Sequence, residues 1–374
     1  MRPIQSGELQ VGQALPFDAY DERGKLLLRA GHVLASEASV ERLVRVAYFD
    51  DAGLAAKRTG TFDDSTLANR PLTQILSARS RLHVLLTDAG FASDFPGEIK
   101  RIAELLHRAC QANADLSLAS IVLHREGHYA TRHMVNVAIA CELVGASLEL
   151  PPKERISIMA AALTMNMGML ELQQSLLTVD GPLSDAQYQE VRQHCARGAD
   201  LLRECGVTDA LWLQAVLDHH ERADGSGYPE GKRGDAIGLP ARLLALADVY
   251  CARVTGRNYR PPLQAHIALR WLYLNEGARL DEKVATSFIK TLGIYPPGTG
   301  VRLRNGSIAV VTHRGNGSLT PQVSSITTHD GLRVTTPIRR RGDVGAHAIS
   351  EVVDLDELEL KVSMEALWGA DAVT

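Results

Sequence analysis

A hydrophobic stripe of helical period runs, with breaks, from Gly97 to about Leu292 and then gives way to a period of two. Ile99, Ile102, Leu105, Leu106 and Ala109 recur at the three- and four-residue intervals that place side chains on one helix face. A chain that repeats such stripes must bury them against one another, so a mainly α fold with a helical bundle core is expected. Pro151-Pro152 restarts one helix, Ser184 with Gln187 forms a capping-box pattern, and Gly293 before Pro296-Pro297 ends the last. Beyond Gly300, Val301 to Leu303, the turn Asn305-Gly306 and Ile308 to Val311 predict a hairpin; Thr320 to Thr328 and Leu332 to Thr336 predict further strands.

The start of the chain is β-rich. Ala14 to Tyr20 and Lys25 to Arg29 flank the turn Asp21-Glu22-Arg23-Gly24, which predicts a hairpin, and Ser36 caps a short helix carrying Val40, Leu43 and Val44. Residues 52–70 lose all periodicity and read as a linker. The resulting division is 1–55 as a small β-rich N-terminal accessory domain, 56–116 as linker and helical connector, 117–298 as the helical domain, and 299–374 as a C-terminal β-hairpin extension and tail.

Charge and composition narrow the function. With 40 basic against 44 acidic side chains and no long Lys/Arg run, a nucleic-acid polymer is not the expected partner. The longest apolar stretch, Ile156 to Leu170, is interrupted by Ser157, Thr164 and Asn166 and is shorter than a bilayer span. The opening MRPIQSGELQ lacks the apolar core of a signal peptide, from which a cytoplasmic location is expected. Five cysteines without CxxC spacing fit reduced thiols.

The densest chemical signal is His219-His220-Glu221-Arg222-Ala223-Asp224-Gly225-Ser226-Gly227-Tyr228-Pro229. Neighbouring helical residues point about 100° apart, so two adjacent His on a helix would each serve a different ion of a metal pair. Glycines at 225 and 227 permit a tight turn that brings backbone and Tyr228 over a ligand. An isolated HHE reads as readily as a solvated helix end. The whole string, HHExxDGxGYP, matches the signature of the HD-GYP cyclic di-GMP phosphodiesterases at all eight fixed positions, and the chain resembles that family.

The resemblance extends over roughly residues 117–315. His133 in HYATRHMVNVAIA looks like the family's first helical His ligand, His194 looks like the start of its HPxxG segment with Cys195 in place of Pro, and LPARLLALADVYCARVTGRNYR supplies Asp248. The resemblance implies that His133, His194, His219, His220 and Asp248 are metal-ligand candidates for iron, manganese or zinc, with a metal-activated hydroxide attacking a phosphodiester in line. It makes Tyr228, Arg257 and Arg260 ligand-binding candidates, the alternative for each Arg being simple solvation. Glu221, Asp224, Gly225, Gly227 and Pro229 complete the motif.

One segment departs from the family pattern. Where the family has the HD dyad, usually LLHDIGK, this chain reads Ala162-Leu163-Thr164-Met165-Asn166-Met167-Gly168-Met169. Aligned on Gly168, Met165 replaces the metal-binding His, Asn166 the bridging Asp and Met169 the Lys. Two divalent ions 3.5–4 Å apart repel by roughly 20 kcal/mol at an effective dielectric of 20, so a bridging anion is needed and Asn166 brings none. A thioether is soft and suits copper(I) better than iron or manganese, so the three Met read as core filler, as does Cys251 in place of a second Asp. One divalent ion, or none, is expected. The leading expectation is a degenerate cyclic di-GMP signalling protein with weak or absent hydrolysis, acting by binding a cyclic dinucleotide or a signalling protein. The alternatives are an active phosphodiesterase with a reduced metal set and a scaffold that binds neither metal nor nucleotide. The helical pattern from Pro71 to Ala112 is compatible with a homodimer.

Overall fold

In the computed structural model the described residues are 70–87, 94–176, 184–255, 262–315 and 321–373, with Arg2–Pro3, Ala19–Tyr20, Leu26–Leu28, Leu43 and Tyr48–Phe49. They fall into two units, Met1–Ala68 and Asn69–Thr374. In the first, β1 (Arg2–Pro3), β2 (Ala19–Tyr20), β3 (Leu26–Leu28) and β4 (Tyr48–Phe49) form a sheet of order β1-β4-β2-β3. The expected hairpin is the antiparallel β2–β3 pair, with Ala19 opposite Leu28 and Tyr20 opposite Leu26. Leu43 is helical and buried, whereas Ser36, Val40, Val44 and nearly all of the expected linker lie outside the described residues.

The second unit opens with α1 (Pro71–Thr87) and α2 (Phe95–Ala112), two helices packed on each other. Their apolar faces, including Ile75, Leu82, Ile99, Ile102 and Leu106, are buried within the chain. Next come α3 (Ala114–Leu123), α4 (Tyr129–Ser147), α5 (Pro152–Thr164), α6 (Leu170–Leu176), α7 (Asp185–Glu204) and α8 (Ala210–Asp218). The helical part closes with α9 (Leu239–Val254), α10 (Ala265–Asn275), α11 (Gly277–Leu280) and α12 (Glu282–Leu292).

Helix α4 is the axis of this arrangement. It is buried from Met134 to Gly145 on every face, as an all-round apolar helix must be, and it packs on α1, α2, α5, α9 and α12. Its one buried acid, Glu142, accepts from Arg155 of α5 at 2.6 Å and contacts His107 of α2 at 2.8 Å, tying three helices together. The sequence punctuation is realised: Pro152 opens α5, Ser184 and Gln187 make a reciprocal capping box on α7, and Gly293 at φ 83 ends α12.

After α12 the period-two segments close into a single antiparallel sheet. Strands β5 (Gly300–Leu303), β6 (Ile308–His313), β7 (Gln322–Thr327), β8 (Arg333–Arg341) and β9 (Ile349–Val352) are ordered β8-β7-β6-β5-β9. Strand β9, which the sequence pattern did not mark, pairs with β5. The final helix α13 (Met364–Trp368) and the turn after it bring the tail back to the sheet and the helices: Trp368 Nε1 donates to Thr312 O of β6, Asn113 to Asp371, and Thr73 Oγ1 to Val373 O.

One close approach positions the site. Helix α5 stops at Thr164, a 3-10 turn spans Met167–Met169, and Gly168 lies against α7. A Cβ there would stand 2.2 Å from the His194 carbonyl oxygen and 2.7 Å from the Gly198 nitrogen. Gly168→Ala is therefore expected to lower stability by about 1–3 kcal/mol, the usual cost of overpacking; urea unfolding measures it, and an unchanged midpoint would show that the two backbones separate freely.

Candidate metal and ligand site

His194 sits mid-way along α7 and His219 at the C-terminal cap of α8; both are fully buried. Each ring is fixed by a carbonyl three residues back, with His194 Nδ1 on Val191 O and His219 Nδ1 on Val216 O. A carbonyl only accepts, so both Nδ1 atoms carry the proton and both Nε2 atoms present lone pairs. Those two Nε2 atoms face each other at 3.3 Å. Cys195 Sγ is 3.6 Å from His194 Nε2. With His220, the four side chains place one donor atom each within 4.8 Å of the others.

Helix α8 ends at Asp218, with His219 as its C-cap still in the αR region and His220 in the turn beyond, and their rings lie 4.3 Å apart between centroids. Facing lone pairs repel unless a proton or a cation lies between them. Burial, reinforced by His219, holds His194 down at about 3; burial likewise lowers His219, and burial with His219 lowers His220 well below its ordinary value. The imidazoles are thus kept neutral, the form that ligates metal. A divalent ion fits this donor set.

Of the other expected ligands, His133 of α4 and Asp248 of α9 meet each other, Nε2 to Oδ1 at 2.7 Å. Burial acts to raise the Asp248 carboxyl, but the His133 hydrogen bond and charge overcome it and hold the group ionised. The Nδ1 atom of His133 is buried without a hydrogen-bond partner among the described residues. Met165 and Asn166 are buried on the α5 side of the contact with α7, and Met169 is partly buried. Arg257 and Arg260 lie outside the described residues.

The Gly-rich turn is held by Glu221. Its fully buried carboxylate accepts from the backbone N–H groups of Glu230 at 2.7 Å, Gly231 at 3.1 Å and Lys232 at 2.9 Å. Asp224 accepts from the backbone and hydroxyl of Ser226, Gly225 adopts φ 79, and a Cβ on Gly227 would strike the backbone of Arg222 and Glu221. The peptide before Pro229 is cis. Tyr228 donates its backbone N–H to His220 O and stacks its ring on His220 with centroids 4.8 Å apart; the Arg192 guanidinium lies 5.5 Å from the Tyr228 ring. Glu221 and Asp224 therefore shape the turn, and Tyr228 covers the imidazoles.

Three residues were missed by the sequence reading. Cys195 joins the donor cluster and was signalled only by its place beside His194. Arg192, two residues before His194, reaches Tyr228 with no sequence signal of its own. Buried Asp218, next to the two His, pairs with Lys232 Nζ at 2.8 Å and ties the turn to α8.

Comparison with known proteins agrees with this geometry. Residues 111–284 match the HD domain family. This segment is similar to the HD domain, and the relatives that it matches are cyclic dinucleotide phosphodiesterases. The chain is 35% identical over 237 residues to a cyclic di-GMP phosphodiesterase of Pseudomonas aeruginosa, covering 63% of this chain and 55% of that protein. It is 29% identical over 175 residues to a 3'3'-cGAMP-specific phosphodiesterase of Vibrio cholerae, covering 47% of this chain and 38% of that one. It thus spans about half the length, or less, of these curated relatives. An HDG"Y"P protein of Bdellovibrio bacteriovorus shares the fold, with TM-score 0.53 at 19% identity, covering 76% of this chain and 97% of that one. No helix among the described residues is long and apolar enough to cross a membrane.

Two outcomes follow for the HD domain. Glu221→Ala strands three backbone donors and should cost at least about 3 kcal/mol in denaturant unfolding; a loss under about 1 kcal/mol would mean that water replaces the carboxylate. In metal-stripped protein the buried imidazoles of His194, His219 and His220 have lowered folded values, so the unfolded chain takes up protons first. Their contribution is complete above the unfolded value of about 6.5 and is lost as pH falls below it, toward the folded value of about 3 for His194. The melting midpoint should drop between about pH 7.5 and 5.5, and His194→Gln should flatten that dependence; parallel pH profiles for the two proteins would contradict it.

Proposed function

We propose that this protein is a cyclic di-GMP signalling protein of the HD-GYP type, with weak or absent phosphodiesterase activity, which acts by holding a cyclic dinucleotide. The observation that supports this reading is the close approach of Gly168 to His194, just after Met165 and Asn166, the residues that the sequence resemblance sets where the family has its metal-binding His and bridging Asp. Without a carboxylate from that segment, two dications at the cluster lack the bridge that would offset their repulsion. His194, His219 and His220 would hold a single divalent ion, whose charge would favour an anionic ligand nearby. Tyr228, resting on His220 with Arg192 beside it, offers an aromatic edge and a cation toward a base and a phosphate. The relatives' activities on cyclic di-GMP and 3'3'-cGAMP support the ligand class.

A reduced-metal phosphodiesterase is the second reading, favoured by the ionised Asp248 paired with His133. Calorimetric titration with cyclic di-GMP and a turnover assay on the same metal-replete sample separate the readings. Binding with a rise in melting midpoint, and no turnover above the His219→Ala background, is the expected result. Turnover abolished by His219→Ala would establish the enzyme instead, and neither heat nor thermal shift would leave a protein-binding scaffold.

A further inference from the structure

We propose that His194, Cys195, His219 and His220 bind one zinc ion as a closed four-donor site in which the Cys195 thiolate is a ligand. Tetrahedral zinc with N at about 2.0–2.1 Å and S at about 2.3 Å requires N···N edges of about 3.3–3.4 Å and S···N edges of about 3.6 Å. The His194 Nε2 to His219 Nε2 distance is 3.3 Å, and Cys195 Sγ to His194 Nε2 is 3.6 Å. These two of the six edges stand at the tetrahedral spacing, Cys195 Sγ also lies 3.8 Å from His219 Nδ1, and one donor atom of each of the four side chains falls within 4.8 Å of the others, so small side-chain rotations would close the rest. His194, Cys195 and His219 are each 0% exposed, so their donor atoms have no water to turn toward.

The chemistry of the donors selects the metal. Iron and manganese sites of the related proteins are expected to use imidazole and carboxylate, whereas a thiolate favours zinc. Cys195 occupies the position of a Pro in the motif, so this donor belongs to this chain rather than to the family pattern. Asp248 is engaged with His133 and stays outside the four-donor group. Four protein donors leave no open position for a hydroxide, in contrast to catalytic zinc with three. This deepens the reading of weak hydrolysis but rests on donor geometry and needs no nucleotide.

The test uses the full chain, stripped with chelator and titrated with cobalt(II), then with zinc(II). The expected result is one cobalt per chain with a tetrahedral visible spectrum and a near-ultraviolet thiolate-to-cobalt band, displaced by zinc. In Cys195→Ser the thiolate band disappears and zinc affinity falls at least about tenfold, the lower edge of what even an outer partner is worth; in Cys205→Ser both are unchanged. A weak six-coordinate spectrum, a band that persists in Cys195→Ser, or no cobalt uptake would overturn the assignment. Should Cys195→Ser fail to fold, cadmium NMR of the unsubstituted protein decides, a thiolate-containing shift sustaining the site and an all-nitrogen or oxygen shift refuting it. Turnover of cyclic di-GMP, measured separately, bears on the functional reading alone: a hydrolysing protein with a thiolate band would sink that reading and keep the zinc site.

Discussion

The backbone of the 3-10 turn after α5 touches the backbone of α7, and the rest of the site is arranged around that contact. Glycine at 168 and at 198 removes the side chains that would hold the two elements apart. The approach fixes the height of His194 against α5, and α8 packs against both α5 and α7, which brings His219 to the same point. Trp212 of α8 secures the third side through its Nε1 bond to Thr164 Oγ1 at 2.7 Å. Three helices thus deliver their polar atoms to one place through packing that is otherwise apolar.

Within that place two electrostatic regimes lie side by side. His133 and Asp248 form a matched pair in which the carboxylate is stabilised by its partner. The neighbouring imidazoles make no ion pair among the described residues, and burial, which outweighs the charge of Asp248, keeps them neutral.

Much of the fold could be read from the sequence, because the signals were local. The capping box of Ser184, the stop at Gly293 and the turn at Asn305-Gly306 are set by a few neighbouring residues and stand where expected. Strand β9 could not be read, since it depends on pairing with β5 about fifty residues earlier rather than on its own alternation. The site divides in the same way. The motif marked His219, His220 and Tyr228, whereas the end of α8 at Asp218, which sets how the two His rings approach each other, carried no sequence signal. Cys195 entered the cluster only through tertiary packing, and the pairing of His133 with Asp248 spans two helices that no spacing relates.

The Glu221 carboxylate, closed upon three amides of its own loop, separates two kinds of information that one motif carries. Glu221, Asp224, Gly225 and Gly227 are required by the shape of the turn, whatever happens at the neighbouring imidazoles. Such residues can persist through the loss of a reaction, because folding alone selects them. A lineage can therefore keep the emblem of a phosphodiesterase long after its chemistry has changed, and the emblem measures descent rather than turnover.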